Sequence, residues 1–176
     1  MSKSRKLKAW WFEPADGKLG YNDGRKPRRG VTHRVKCAPV LCVAGLHASV
    51  RPLDALKYAQ SSVIWRVELG GEIVSGDDKA AATERTYLWR LDAESMLRAF
   101  ARQCALDVVH LWNAPAVVVQ YLNTGNEELR TAAWAAARAA AWDAAWDAAR
   151  TAAWDAQNKR LRMMFNRDAK RAGVLT

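Results

Sequence analysis

The residues best suited to chemistry in this chain gather between positions 25 and 58. His33, Cys37, Cys42 and His47 are metal-ligating types in the order H-x3-C-x4-C-x4-H. That spacing fits no tight zinc knuckle, and two cysteines five apart in one strand face opposite ways. Thiols buried in a sheet are the expectation here, and no metal is expected. In Gly45-Leu46-His47-Ala48-Ser49, His47 and Ser49 fall on one side of an extended backbone, while Gly45 and Ala48 leave room for a ligand. His47 titrates near neutrality and can donate to a ribose or phosphate. The competing reading is that it bonds a local carbonyl. Arg25, Lys26, Arg28 and Arg29 can close over the same site as a basic loop. His33, Arg34 and Tyr58 complete the candidate ligand-binding set. Glu68 and Glu72 share a strand face if no bulge intervenes, which makes a carboxylate pair or, more commonly, a solvent face.

No G-x-S-x-G, Walker loop, H-E-x-x-H or dinucleotide fingerprint occurs. No catalytic residue and no cofactor are therefore expected. The charge instead points to an anionic partner, nucleotide or nucleic acid. The chain carries a net charge of +10. Residues 1–36 hold eleven Lys or Arg against three acids, residues 37–130 nine against eleven, and residues 131–176 eight against four. A basic arm and a basic tail thus flank a nearly neutral body. The alternative is a solvated start that only aids solubility. No apolar stretch follows MSKSRKLK, no run reaches the length of a membrane span, and cysteine is sparse. These features predict a reduced, cytoplasmic protein without membrane contact.

The elements that must position these residues follow from periodicity. Residues 1–9 read as a basic flexible lead and 10–91 as a β-rich domain. Within it, Ala9–Phe12, Val31–Lys36 and Val63–Leu69 read as strands, with Gly70-Gly71 breaking the last before Glu72-Ile73-Val74. Val40–Val43 is a further apolar run, and Asn22-Asp23-Gly24 suits a hairpin turn. Pro52–Ala59 reads as a short helix. Ala80–Leu91 is ambiguous. Residues 92–125 form a helical connector. Asp92 starts one helix, with Leu97, Phe100, Ala101 and Cys104 on one face, and Ala114-Pro115 opens the next, which Gly125 stops.

Residues 126–172 read as one long C-terminal helix capped by Asn126, with Glu127 and Glu128 at its positive end. Trp134, Arg138, Trp142, Trp146, Arg150 and Trp154 recur at multiples of four among alanines. A period of four drifts slowly around a 3.6-residue helix, so these side chains form a spiral on a smooth alanine rod. Indoles on such a helix must meet something. Three partners are open: the chain's own β layer, the same helix in a second subunit, or nucleobases stacked between phosphate-binding arginines.

Several motifs carry a resemblance. GLHAS (45–49), PLDALKYA (52–59), VELGGEI (67–73), DDKAAATER (77–85) and LWNAPAVVVQYLNTG (111–125), followed by the Ala/Trp tail, resemble an uncharacterised family of phage and prophage proteins. That resemblance implies a viral accessory role in the host cytoplasm, with a host defence protein as a further candidate partner. Residues 45–69 alone are similar to the core of ADP-ribosyltransferase-like folds, which bind NAD. This likeness implies that His47 or Tyr58 lies near a nicotinamide pocket, although the Ser-Thr-Ser and downstream Glu motif is missing.

The expectation is an α+β protein, with a small N-terminal β-rich domain followed by helices ending in a long Ala/Trp-rich oligomerising helix. Its expected function is non-enzymatic binding of a phosphate-bearing ligand, either nucleic acid or a nucleotide-derived immune signal, with counter-defence by sequestration or inhibition. An NAD-using transferase and a structural phage assembly protein are the alternatives.

Overall fold

Two long strands organise the sheet. A computed structural model describes residues 6–20, 23–140 and 150–175. Val63–Ser75 (β4) and Ala80–Asp92 (β5) form an antiparallel hairpin of thirteen residues per arm. Its turn is closed by Gly76 N–H donating to the Lys79 carbonyl at 2.8 Å. Leu7–Phe12 (β1) pairs with β4, and Thr32–Arg34 (β2) pairs with β5. Leu46–Ala48 (β3) pairs with the far end of β5, at Ala80–Ala82. Trp10 and Ser49 exchange backbone hydrogen bonds of 2.7 and 2.9 Å, which return the ladder from the β3 end to β1. All pairings are antiparallel, so the class is α+β.

Alternation along β1 sends its side chains to both faces. Ala9 and Trp11 meet the inner cluster, where Trp65, Val67, Leu69, Leu19, Leu46 and Tyr87 pack. Trp10 and Phe12 meet the other face. There Trp10 lies 5.6 Å from the Trp89 ring and 5.2 Å from Phe165. Phe165 and Leu161 belong to Arg150–Arg171 (α5) and are fully buried. A packed indole removes roughly 150–250 Å² from water, worth about 4–6 kcal/mol at ~25 cal/mol per Å² before ordering costs. Pro52–Leu56 (α1) begins on a proline, and Leu53 N–H donates to the buried Asn158 Oδ1 at 3.0 Å, tying α1 to α5.

Two β-bulges interrupt the hairpin. Arg66 faces Trp89 while Val67 faces Tyr87, so Leu88 is skipped and the facing of β5 reverses there. Tyr87 consequently points to the inner cluster and Trp89 to α5. The second bulge sits at Gly71–Glu72, opposite Thr83. Gly70-Gly71 therefore bends a continuous strand rather than ending it. The bulge also breaks the phase that would align Glu68 with Glu72; Glu68 pairs instead with Lys6. Ala80–Leu91, ambiguous from sequence, is wholly strand. Val40–Val43 is not a strand but part of a tight turn, with only an isolated bridge between Val40 and Ala44.

The chain divides into two compact units, Met1–Glu94 with Asn158–Thr176, and Ser95–Gln157. In the second unit, Glu94–Val108 (α2) is preceded by Asp92, whose carboxylate accepts from Glu94 N–H at 3.2 Å. Ala116–Thr124 (α3) ends at Gly125, with φ of 67°. Glu127–Ala140 (α4) is capped by Asn126, whose Oδ1 accepts from Glu128 N–H at 3.0 Å. Trp142 and Trp146 lie outside the described residues, and Arg150 enters as the first backbone position of α5. Among the described residues, no helix is long and apolar enough to cross a membrane.

Gly71 has φ of +69°, and an added Cβ would collide with Thr83 Oγ1. We expect Gly71→Ala to lower the urea unfolding midpoint, by about 1–3 kcal/mol in stability, because an L side chain is strained there. An unchanged midpoint would show that this bulge relaxes freely.

Candidate functional site

The loop before β3 is built by tight hydrogen bonding. Ala44 N–H donates to the Val40 carbonyl at 2.9 Å, and Cys42 adopts φ of 64°, unusual for a residue with a side chain. Gly45 follows with φ of 101°, where a Cβ would press on the Ala82 carbonyl and Pro39 at 3.2 Å. His47 holds this turn. Its Nε2 accepts from Cys42 N–H at 3.1 Å and its Nδ1 contacts the Gly45 carbonyl at 3.1 Å. An acceptor at Nε2 requires the proton on Nδ1, so the neutral ring is the species that fits. Burial pushes its pKa below the ordinary imidazole value in the same sense.

Arg85 lies beside this turn on β5. It is 3% exposed. Its Nε and Nη2 donate to Tyr87 Oη at 3.1 and 2.9 Å, and its Nη1 donates to the His47 carbonyl at 2.6 Å. The guanidinium stacks over Trp11 at 4.0 Å. Tyr87 Oη accepts from Arg85 and sits 3.2 Å from His33 Nδ1, which is placed to take the phenol proton. A guanidinium carries five N–H donors, and three are used here. Among the described residues, no carboxylate lies within ion-pairing distance of Arg85. Desolvation pulls its pKa below the usual guanidinium range.

Arg85 lines a cleft of about 520 Å³. Trp11 and Tyr58 supply aromatic wall, Trp10 and Phe12 line it from β1 while their rings pack toward α5, and His47 and Ser49 supply the floor at β3. Lys57 and Lys79 join Arg85 as cations, and among the described residues no Asp or Glu lines the cleft. Lys79 sits 4.1 Å from the Tyr58 ring centre, and its pKa is raised by Tyr58 and then Cys42. Tyr58 Oη donates to Asp78 at 2.6 Å. Lys57 reaches Asp54 at 3.2 Å and Asp78 at 3.7 Å, and Arg51 holds the other oxygen of buried Asp54 at 2.6 Å.

Of the residues singled out from sequence, the cleft gathers His47, Ser49 and Tyr58. It does not gather Arg25, Arg28, Arg29, His33 or Arg34. Arg25 grips Asp23 through two contacts of 2.6 Å and also donates to the Arg34 carbonyl. Arg34 pairs with Glu84 at 2.9 Å. Arg28 and Arg29 are exposed. His33 is buried behind Arg85, against Tyr87. Cys37 and Cys42 are exposed rather than buried in a sheet, and the H-x3-C-x4-C-x4-H residues do not converge; among the described residues no such group is placed to hold a metal. Arg85, Lys57 and Lys79 escaped the sequence reading. An arginine in period-two phase with Tyr87 was the available signal for Arg85, but it was hidden while Ala80–Leu91 had no assigned class.

Residues 26–99 match the family described as Domain of unknown function (DUF7666). The match spans β2 to the start of α2 and includes His47, Tyr58, Lys79 and Arg85. No curated protein and no solved structure matches the chain.

The buried imidazole of His33 and the half-buried one of His47 make stability depend on pH. Burial lowers the pKa of both His33 and His47, with the charge of Arg25 a further cause at His33. The unfolded chain then binds more protons than the folded one below about pH 6.5, so stability rises with pH through that window. We expect the urea midpoint to be full above neutrality and to fall between pH 6.5 and 5. His47→Gln should flatten part of that slope. A midpoint constant over this range would mean that neither ring is held neutral by the fold.

Proposed function

We propose that this chain binds a phosphate-bearing small molecule of nucleotide size in the cleft beside β3, without transforming it. The observation that carries the reading is Arg85, a buried cation with spare donors and no carboxylate, opening on a cavity whose other charged lining residues are lysines. Taking a guanidinium out of water is costly unless an anion compensates it. A phosphate matches its planar donors. The aromatic wall suits a base or nicotinamide ring, and the volume falls within the usual range for ligand sites. His47 has both nitrogens engaged by its own turn, which favours binding over proton transfer. With the resemblance to phage and prophage proteins, the role we propose is sequestration of a nucleotide-derived signal. Release of nicotinamide from NAD by the parent chain would instead favour the transferase alternative.

Isothermal titration with ATP and with ADP-ribose tests the reading. We expect saturable binding by the parent chain. Arg85→Gln should weaken it by ~10–100-fold, the worth of a charge-assisted hydrogen bond. Lys79→Ala, at a partly exposed position, should weaken it less while leaving the melting temperature unchanged. No heat with either ligand, or equal binding by the Arg85→Gln and parent chains, would remove the cleft from consideration.

Self-association remains part of this proposal. Trp134 on α4 is 65% exposed in the single chain, and an indole so placed favours a covering partner. Sedimentation velocity should give a higher mass for the parent chain than for Trp134→Ala. Equal masses would leave α4 without an oligomerising role.

A further inference from the structure

Burial along residues 158–171 of α5 shows which side of this helix is free. Asn158, Leu161, Phe165 and Ala169 are buried, at spacings of three, four and four, and so form one stripe against the sheet. Phe165 packs there on Trp10 and Phe12. At about 100° per residue, Lys159, Arg160, Arg167, Lys170 and Arg171 then fall on the outward arc, with Arg162 on its flank. Arg160 is half-buried and the other five are exposed. The stretch holds six Lys or Arg against one acid, Asp168, which pairs with Arg167 at 3.4 Å. Among the described residues, Lys159, Arg162, Lys170 and Arg171 form no ion pair.

Helix electrostatics account for only part of this charge. Cations in the last turn complement the negative end of the helix dipole, which explains Lys170 and Arg171. The effect fades within one turn, so it does not reach Lys159, Arg160 or Arg162. Side-chain pairing does not explain them either. Lys159 with Arg162 and Arg167 with Lys170 are like charges three apart, and Arg167 with Arg171 are like charges four apart. Each such pair opposes the helix. A surface shaped for helix stability interleaves acids, as Glu127 and Arg130 do on α4.

We propose that the outward face of α5 docks on the sugar-phosphate backbone of duplex nucleic acid, without reading its sequence. Lys159 to Arg171 spans ~18 Å at about 1.5 Å per residue. A duplex carries one negative charge per ~1.7 Å of axis, so a single stretch of it can meet all these cations at once. Four of the six are arginines, whose forked donors match phosphate oxygens. With its other side packed on the sheet, the helix lies across the backbone rather than in a groove. A single strand fits less well, because the one aromatic residue of the stretch, Phe165, is buried and gives bases nothing to stack on. A lipid surface also fits less well. An interfacial helix inserts its apolar side, and here Leu161, Phe165 and Ala169 are 0% exposed. None of the six cations lines the cleft, so this surface stands apart from it.

Fluorescence anisotropy of a labelled ~20-base-pair DNA duplex, titrated with the full chain between ~50 and ~200 mM salt, tests this. We expect log affinity of the parent chain to fall against log salt with a slope of about −4 to −5. The triple variant Lys159→Gln, Arg162→Gln, Lys170→Gln should bind at least ~10-fold more weakly, with a slope shallower by about 2–3. These positions are exposed and pair with no described acid, so the changes orphan no carboxylate. The control is Lys26→Gln, Arg28→Gln, Arg29→Gln, which removes the same charge from the exposed basic loop and should bind like the parent. Circular dichroism melts check that both variants fold, and the slope of the parent chain is read without any variant. No binding, a parent slope near zero, equal loss in the two triple variants, or tighter binding of the single strand than of the duplex would overturn the proposal. So would binding confined to phosphatidylserine vesicles, which would assign the face to a membrane. Arg85→Gln should leave duplex binding unchanged, so the α5 surface and the cleft can each fail alone.

Discussion

Burying the Arg85 guanidinium is the interaction on which the site depends. The cation is accommodated by one phenol, one carbonyl and one indole face. Each of these comes from a different place in the fold. Tyr87 neighbours it on β5, His47 comes from β3, and Trp11 comes from β1 at the far side of the hairpin. The carbonyl of His47 is available because the ring of the same residue locks its loop through Cys42 and Gly45. Small residues complete the geometry. Ala80, Ala81 and Ala82 let β3 approach β5, and Gly45 lets the turn cross over Ala82. Without that close approach the cleft would have no floor.

Charge elsewhere in the first unit is managed by pairing. Arg25 with Asp23, Arg34 with Glu84, and Arg51 and Lys57 with Asp54 are all neutralised locally. The exposed pair of Arg34 and Glu84 contributes about 0–1 kcal/mol, whereas Asp54 is buried and depends on both its partners. The main effect of these pairs is selective. They take Arg25 and Arg34 out of ligand chemistry, while among the described residues Arg85 and Lys79 of the cleft have no ion pair. The distinction between a basic sequence and a basic site lies in which arginines find acids in three dimensions.

The bulge at Leu88 decides which aromatic faces which side. Were β5 regular, Tyr87 and Trp89 would share a face, since they are two apart. Skipping Leu88 sends Tyr87 inward to Arg85 and His33, and Trp89 outward to Trp10 and α5. One register shift therefore divides the aromatic residues between the inner cluster and the helix-covered face. It also places Arg85 and Arg66 on opposite sides of the sheet.

Sequence alone determined what depends on near neighbours. Alternating β-branched and aromatic residues defined Val63–Leu69. Asp92 and Asn126 marked helix starts by the reach of their own side chains. Pro115 and Gly125 bounded α3 through fixed φ and tolerance of the left-handed region. Gly45–Ser49 stood out because small residues flank His47, although Leu46–Ala48 is a strand rather than a turn. Long-range pairing decided the rest. Only the folded sheet set β3 against β5, shifted the register at Gly71 and Leu88, and brought Trp11 over Arg85. Only it set Arg34 against Glu84, an acid far away along the chain, whereas Arg25 finds Asp23 two positions before it. A side chain's partner across a sheet depends on register, and register is a property of the whole ladder rather than of any window along the chain.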